Sequence, residues 1–293
     1  MQFRIGINPL TWTNDDMPEL GGDISLEQCL SEARQAGYQG IELGHKFPRD
    51  PERLEPLLRT YQLSLISGWY SGRLLDRTVE QEIAAMTPHL DLLCAMGCEV
   101  VVFAEITGCV HGKRQTPLSR RPRLSLDEYK DLGERLTRIA QHCGSRGLRL
   151  SYHHHMGTVV ETESEVDALM AHSGDSVFLV LDTGHIFYAG GDPVAVARRY
   201  GTRIAHVHCK DVRPRVLDES RKRDRSFLDS VLAGVFTVPG DGCIDYASLL
   251  PILRDAGYSG WLVVEAEQDP AQAHPLTYAT MGYRHLQHVS RQP

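Results

Sequence analysis

The sequence predicts an α/β chain folded as a single (β/α)8 TIM barrel, and three observations predict it. Eight short runs rich in Val, Ile and Leu alternate with longer stretches of helical period. The 293 residues are about what one such barrel fills. No Pro/Gly/Ser linker or composition shift divides the chain, so residues 1–293 are expected as one domain with a helical extension from about residue 270.

Each element can be justified in order. RIGINPLTW (4–12) reads as a strand, and the helix over SLEQCLSEARQAG has Ser25 to cap it and Gly37 to end it. GIELG (40–44) precedes a helix from Pro51 to about Tyr61, and LSLISGWY (63–70) one from about Thr78 to Met96. CEVVVFAEI (98–106) leads through a polar loop to a helix from Ser125 to Gly144, and LRLSYHHH (148–155) to one from Glu161 to His172. VFLVLDTGH (177–185) is followed by a helix from Pro193 to Tyr200. RIAHVHCKDV (203–212) is followed by an inserted segment and a helix from Tyr246 to Gly257, and WLVVEAEQD (261–269) comes last. Near-continuous apolar strands separated by helices imply a parallel sheet covered on both sides. A doubly wound open sheet would favour a glycine-rich phosphate turn after the first strand, and NPLTWTNDD offers none.

Composition narrows the function classes. Hydrophobic content of 42% with 24% charge suits an ordinary globular core, and neither value suggests disorder or a membrane protein. The opening MQFRIGINPLTW has no apolar signal region, so a cytoplasmic location and no membrane partner are expected. A net charge of −7 argues against a nucleic-acid partner, and the lone basic run RKRDR (221–225) reads as a solvated helix face. The seven cysteines lack CxxC spacing and read as reduced thiols.

In a barrel of this kind active sites gather at the C-terminal ends of the strands. Ionisable residues are concentrated there: Glu42 and His45, Glu105, His153 and His155, Asp182 and His185, His206, His208 and Lys210, and Glu265 and Glu267. Alternation places His153 with His155, His206 with His208 and Lys210, and Glu265 with Glu267, each set on one face. His154 should point the other way, and Cys209 toward the helices. A lone His or Glu at a strand end is ordinarily a satisfied structural group. Convergence of so many carboxylates and imidazoles would be costly without a compensating cation or substrate. Imidazole and carboxylate ligands without cysteine suit Mn²⁺, Co²⁺, Fe²⁺ or Zn²⁺ rather than Ca²⁺.

Several long segments carry a resemblance. INPLTWTNDDMPELGGDISLEQCLSEARQAGYQGIELGHKFP, YHHHMGTVVET, LDTGHIFYAGGDP, RIAHVHCKDVR, SFLDSVLAGVFTVPGDGCIDY and GWLVVEAEQDP together resemble the inosose dehydratases, within the xylose-isomerase-like barrels. The resemblance implies metal-assisted loss of water from 2-keto-myo-inositol, with Mn²⁺ or Co²⁺ as the usual metal. It implies Asp182, His208 and Glu265 as ligands. The fourth position, a carboxylate in the wider group, holds His153 here; His153 is favoured as ligand, with Glu161 or an extra water as alternatives.

Dehydration beside a ketone requires a base for the α-proton, an electrophile for the enolate oxygen and an acid for the departing hydroxide. Lys210 and His155 are expected as the base and acid pair in either order, with His185 as hydroxyl contact or relay. For Lys210 a salt bridge to Glu267 or Glu105 is the structural alternative. Nearby positive charge would favour its neutral form. Glu42, His45, Trp12, Trp69, Glu105 and Glu267 are expected to line a polyol pocket, carboxylates accepting hydroxyl protons and an aromatic face covering ring C–H groups. The loop from Thr107 to Arg123 could be a lid, and PGDG (239–242) a turn bordering the site. An isomerase or epimerase working through the same enediolate is the alternative enzyme, and a non-catalytic polyol-binding barrel the alternative outside catalysis. A homo-oligomer is possible, since Tyr278, Tyr283 and Leu286 could pack under the barrel or against a partner.

Overall fold

A computed structural model describes residues 3–291; Met1, Gln2, Gln292 and Pro293, counted above with the same domain, lie outside the described residues. The strands are β1 (Arg4–Ile7), β2 (Gly40–Leu43), β3 (Ser64–Gly72), β4 (Val100–Glu105), β5 (Arg149–His153), β6 (Val177–Asp182), β7 (Ile204–Cys209), β8 (Asp211–Val212), β9 (Phe236–Thr237) and β10 (Trp261–Val264). β1 to β7 and β10 close a parallel barrel, in which β10 pairs with both β7 and β1. β8 and β9 form a separate antiparallel pair above it, within the inserted segment.

Helices α1 (Leu26–Ala36), α2 (Pro51–Thr60), α3 (Val79–Ala95), α4 (Leu126–Ser145) and α5 (Glu163–His172) follow the first five strands. Thr78 with Gln81, Ser125 with Glu128 and Thr162 with Glu165 form reciprocal capping boxes at α3, α4 and α5. The Ser25 hydroxyl caps α1, and Gly37 ends it at φ 113°, where a Cβ would also meet the Tyr283 ring. α6 (Thr183–Tyr188) and α7 (Pro193–Tyr200) follow β6; α8 (Pro214–Lys222), α9 (Phe227–Leu232) and α10 (Tyr246–Asp255) follow β7. α11 (Pro275–Val289) covers the β10 side, packing against α1 and α10. There Tyr38 donates to the Ala279 carbonyl at 2.8 Å and meets Tyr283 edge-on. Among the described residues no helix is long and apolar enough to cross a membrane.

β1 and β10 end earlier than their sequence runs suggest, while β6 ends where expected. β1 stops at Ile7 because Asn8 caps a 3-10 turn over Pro9–Thr11, where proline fixes the turn's φ. β6 stops at Asp182, whose carboxylate caps α6. β10 stops at Val264, so Glu265 and Glu267 stand in the loop beyond it.

Inside the barrel the floor is apolar: Val100, Val102, Val180 and Ala205 pack together with Trp69 and Phe178 at their edge. Ala205 is an extra residue in β7, since Ile204 pairs with Leu179 while His206 pairs with Val180. This bulge puts Asp182 beside His208 in register. The polar layer lies above that floor.

Candidate active site

Four side chains from four neighbouring strand ends converge: His153, Asp182, His208 and Glu265, all buried, each with one ligand atom within 4.8 Å of the others. His153 Nε2 lies 3.1 Å from His208 Nδ1, both stand 3.6 Å from Asp182 Oδ2, and His208 Nδ1 lies 2.6 Å from Glu265 Oε2. Hydrogen bonds on the far side fix the imidazoles. His153 Nδ1 can only donate to the His154 carbonyl, at 2.6 Å, which leaves Nε2 with a lone pair. His208 Nε2 donates to Glu42 Oε1 at 3.1 Å, so its Nδ1 is the atom turned to the cluster.

Such a donor set fits a divalent cation. Lone pairs face one another, and Asp182 Oδ2 is buried with no hydrogen-bond partner. Two carboxylates balance a charge of +2, with imidazoles completing a set that suits Zn²⁺, Mn²⁺, Co²⁺ or Fe²⁺. Without the cation, burial works against a charge on His208, yet Glu265, Glu42 and Asp182 outweigh it and hold the imidazole's pKa well above its usual range. Glu161, the alternative ligand read from the sequence, stands outside this cluster: it accepts from Gly157 N at 2.7 Å and pairs with Arg121 at 3.1 Å.

Lys210 is fully buried behind this cluster, its Nζ 2.7 Å from Glu265 Oε1, 3.1 Å from His185 Nε2, 3.7 Å from Glu267 and 4.6 Å from the centre of the Phe236 ring. Burial favours the neutral amine, but Glu265, Asp182 and Glu267 outweigh it and raise the pKa. Among protein groups alone that direction runs against the neutral amine expected beside a cation. His155 Nδ1 donates to the Met156 carbonyl at 2.9 Å, leaving Nε2 free. Burial, with His111 and His153 nearby, holds its pKa well below the usual value, so it is neutral at pH 7. The His185 ring lies 4.0 Å from that of His155, tilted by 42°, and accepts from Met156 N through Nδ1. His154 is buried on the other face, beside the Asp182 amide.

A cavity of about 290 Å³ opens above these groups, lined by Asn8, Asp15, Asp16, Glu42, Trp69, Ser71, His111, His155, His208, Glu265 and Glu267 among others. Trp69 presents its edge to His153 and His155. Glu267 takes a hydrogen bond from Asn14 at 3.1 Å, and burial pushes its carboxyl up to about 7 although Lys210 opposes that.

Three expected pocket residues lie elsewhere. Trp12 is completely buried under the 3-10 turn and donates to Glu32 of α1. Glu105 is consumed as an acceptor for the amides of Leu74 and Thr107, which locks the loops after β3 and β4. His45 stands on the rim, 2.7 Å from Asp15, and does not reach the cavity. Glu42 touches the cavity, but Asn8, Ser67, His206 and His208 occupy its oxygens, so it organises neighbours instead of offering free acceptors. The reading missed Asn8, Asn14, Asp15, Asp16 and His111; the polar TNDD after the first strand was the available signal. The 107–123 loop is tied down by Arg121 to Glu161 and Glu165, by Val110 to Gly157, and by Ser119 to Asp224 of the RKRDR run. The PGDG turn borders the next layer, with Gly240 donating to Asp211.

Comparison with known proteins agrees with this architecture. The family model described as "Xylose isomerase-like TIM barrel" matches residues 30–287. The inosose dehydratase of Clostridium tetani is 42% identical, across 98% of this chain and 97% of its own length. The chain belongs to the inosose dehydratases of the xylose isomerase-like TIM barrel family. Within that family the rhizopine catabolism protein MocC of Rhizobium meliloti is 54% identical, over 98% of this chain and 88% of its own. Among solved structures, the IOLI protein with a bound zinc atom superposes with a TM-score of 0.69 at 17% identity, covering 99% of this chain and 98% of that one. At that identity the likeness concerns the fold.

Proposed function

We propose that this member of the family removes water from 2-keto-myo-inositol to give a trihydroxycyclohexane-1,2-dione, using a divalent metal, Mn²⁺ or Co²⁺, held by His153, Asp182, His208 and Glu265. The observation that carries the reading is the juxtaposition of that ligand cluster with an unprotonated His155 nitrogen at a cavity lined by carboxylates, imidazoles and an indole. No lysine or arginine is among the lining residues, which suits an uncharged polyol better than a sugar phosphate. When bound, the metal supplies Lewis acidity toward the ketone oxygen and lowers the pKa of the neighbouring C–H.

The chain's own groups supply the proton transfers. His155 Nε2 takes the proton from the carbon beside the ketone. Loss of hydroxide from the next carbon, with one proton added, releases water and leaves the enol of the dione, so atoms balance. Glu267 is the member of the Lys210–Glu267 pair that meets the cavity, at 3.7 Å from the ammonium, and passes the second proton to the departing oxygen. His185 orients both sides: it packs against His155 and touches Lys210. Trp69 covers the ring's C–H face.

Metal-stripped protein incubated with 2-keto-myo-inositol should be silent, and Mn²⁺ or Co²⁺ should restore formation of an ultraviolet-absorbing enolised dione. Metal-dependent change of stereochemistry without dione would instead support the isomerase or epimerase reading, and neither product would support the non-catalytic one.

A further inference from the structure

Two loops meet over the cavity. The loop after β1 turns at Asn14, whose side-chain oxygen accepts from the amides of Asp16 at 2.8 Å and Met17 at 2.7 Å. That turn presents Asp16 to the cavity, while the Asn14 amide group holds Glu267. The loop after β4 brings His111 to the same opening, its ring 5.1 Å from that of His155.

The position of His111 is set by its backbone, not by its ring. Val110 N donates to the Gly157 carbonyl at 2.9 Å, and Gly157 is left-handed at φ 81°, where a Cβ would stand 2.9 Å from His111 N. Further along, Arg121 ties the loop to Glu161 and Glu165. The ring itself is left short of partners. His111 Nδ1 is buried with no hydrogen-bond partner, and Nε2 stands 3.9 Å from Asp16 Oδ1, too far for a direct bond. The half-buried imidazole and the partly exposed carboxylate both face the cavity, and the gap between them has room for one bridging hydrogen-bonding group.

We propose that Asp16 and His111 form a hydroxyl clamp that determines specificity: a ring hydroxyl of the bound polyol donates to Asp16 Oδ1 and accepts from His111 Nε2–H, bridging the two loops. The clamp rests on the polyol reading of the site given above. It concerns binding only, since neither residue is a ligand of the cation cluster or a partner in the proton transfers assigned to His155 and Glu267. Interactions of this kind are made equally in ground and transition states, so their loss weakens KM and leaves kcat in place. A single hydrogen bond of this type corresponds to about a 3- to 10-fold change in binding.

The test uses full-length Mn²⁺-loaded protein, with His111→Phe to keep the ring and Asp16→Leu to remove the acceptor at similar size should the first variant fold poorly. Expected are a KM for 2-keto-myo-inositol raised about 3- to 10-fold in each, kcat within about twofold, an unchanged Mn²⁺ isotherm, and a double variant no worse than about the weaker single one. Unchanged KM in Asp16→Leu, or a fall in kcat with KM intact, overturns the clamp. A parallel titration with myo-inositol separates the two readings: if wild-type protein binds the polyol but forms no dione, weaker binding in the variants still supports the clamp while the dehydratase falls. Wild-type protein that binds no polyol at all removes both.

Discussion

Glu42 shows how one side chain can act through its neighbours. Its carboxylate takes hydrogen bonds from Asn8, Ser67, His206 and His208, and the last of these turns the His208 Nδ1 lone pair to the metal position. Glu42→Gln should therefore weaken Mn²⁺ binding about 10- to 100-fold, read by titration calorimetry, because metal-ligating histidines lose orientation and basicity without such a partner. An unchanged isotherm would show that His208 orients itself. The same histidine sets a pH dependence. Carboxylates raise its pKa in the metal-free protein, so near neutral pH it holds a proton that the cation must displace. Mn²⁺ binding should release about one proton per site, visible as a heat that changes with the buffer's ionisation enthalpy, and affinity should fall as pH falls. Clustering at strand ends brought His153, Asp182, His208 and Glu265 to one mouth, and the family resemblance singled them out as ligands. His111 was illegible because a loop brings it in and no periodicity governs a loop, whereas Asp16 stood in the polar TNDD stretch.

At the scale of elements, the transition from β6 to α6 carries more than its six helical residues suggest. Asp182 ends the strand, caps the helix through His185 N at 2.8 Å, and leaves its other oxygen buried without a hydrogen-bond partner. Gly184 sits where α6 meets β7, and a Cβ there would stand 2.6 Å from Lys210 Cγ. Gly184→Ala should thus displace Lys210 and α6 together, lowering both kcat and melting temperature, whereas a tolerated methyl would show that the lysine can move aside. The residue pattern ends β6 at Asp182 with His185 beyond it, but six residues are too few to show a helical period, so α6 was not legible. The loop after β4 gives a cleaner test of stability. Arg121 is nearly buried and takes both oxygens of Glu165 at 2.7 and 2.9 Å. Arg121→Leu leaves Glu161 and Glu165 without their partner and should cost about 3–5 kcal/mol in urea unfolding. A loss below about 1 kcal/mol, the usual worth of an exposed pair, would show that the loop is not held this way.

Across the whole molecule, the ligand cluster joins β5, β6, β7 and the end of β10, which are adjacent around half of the barrel. β10 also pairs with β1, so the last strand both closes the sheet and delivers Glu265. The eight-fold alternation made this closure readable from the chain alone. The inserted segment that becomes α8, α9 and the β8–β9 pair was readable only as an interruption, because its core of Phe227, Val231 and Phe236 has no period of its own. A cation bound by the folded barrel and not by the unfolded chain stabilises the fold by mass action, about 2.7 kcal/mol at one hundred times its Kd. For a chain of this size that corresponds to a rise of roughly 4–5 °C in melting temperature. Chelation should reverse the rise. His153→Ala should shrink it by removing a ligand, while His111→Phe should keep it in full, because His111 belongs to the rim and not to the cation cluster. A melting temperature indifferent to Mn²⁺, Co²⁺ and chelator alike would mean that these four strands are held by protein contacts alone, and that the converging lone pairs of His153 and His208 share a proton instead.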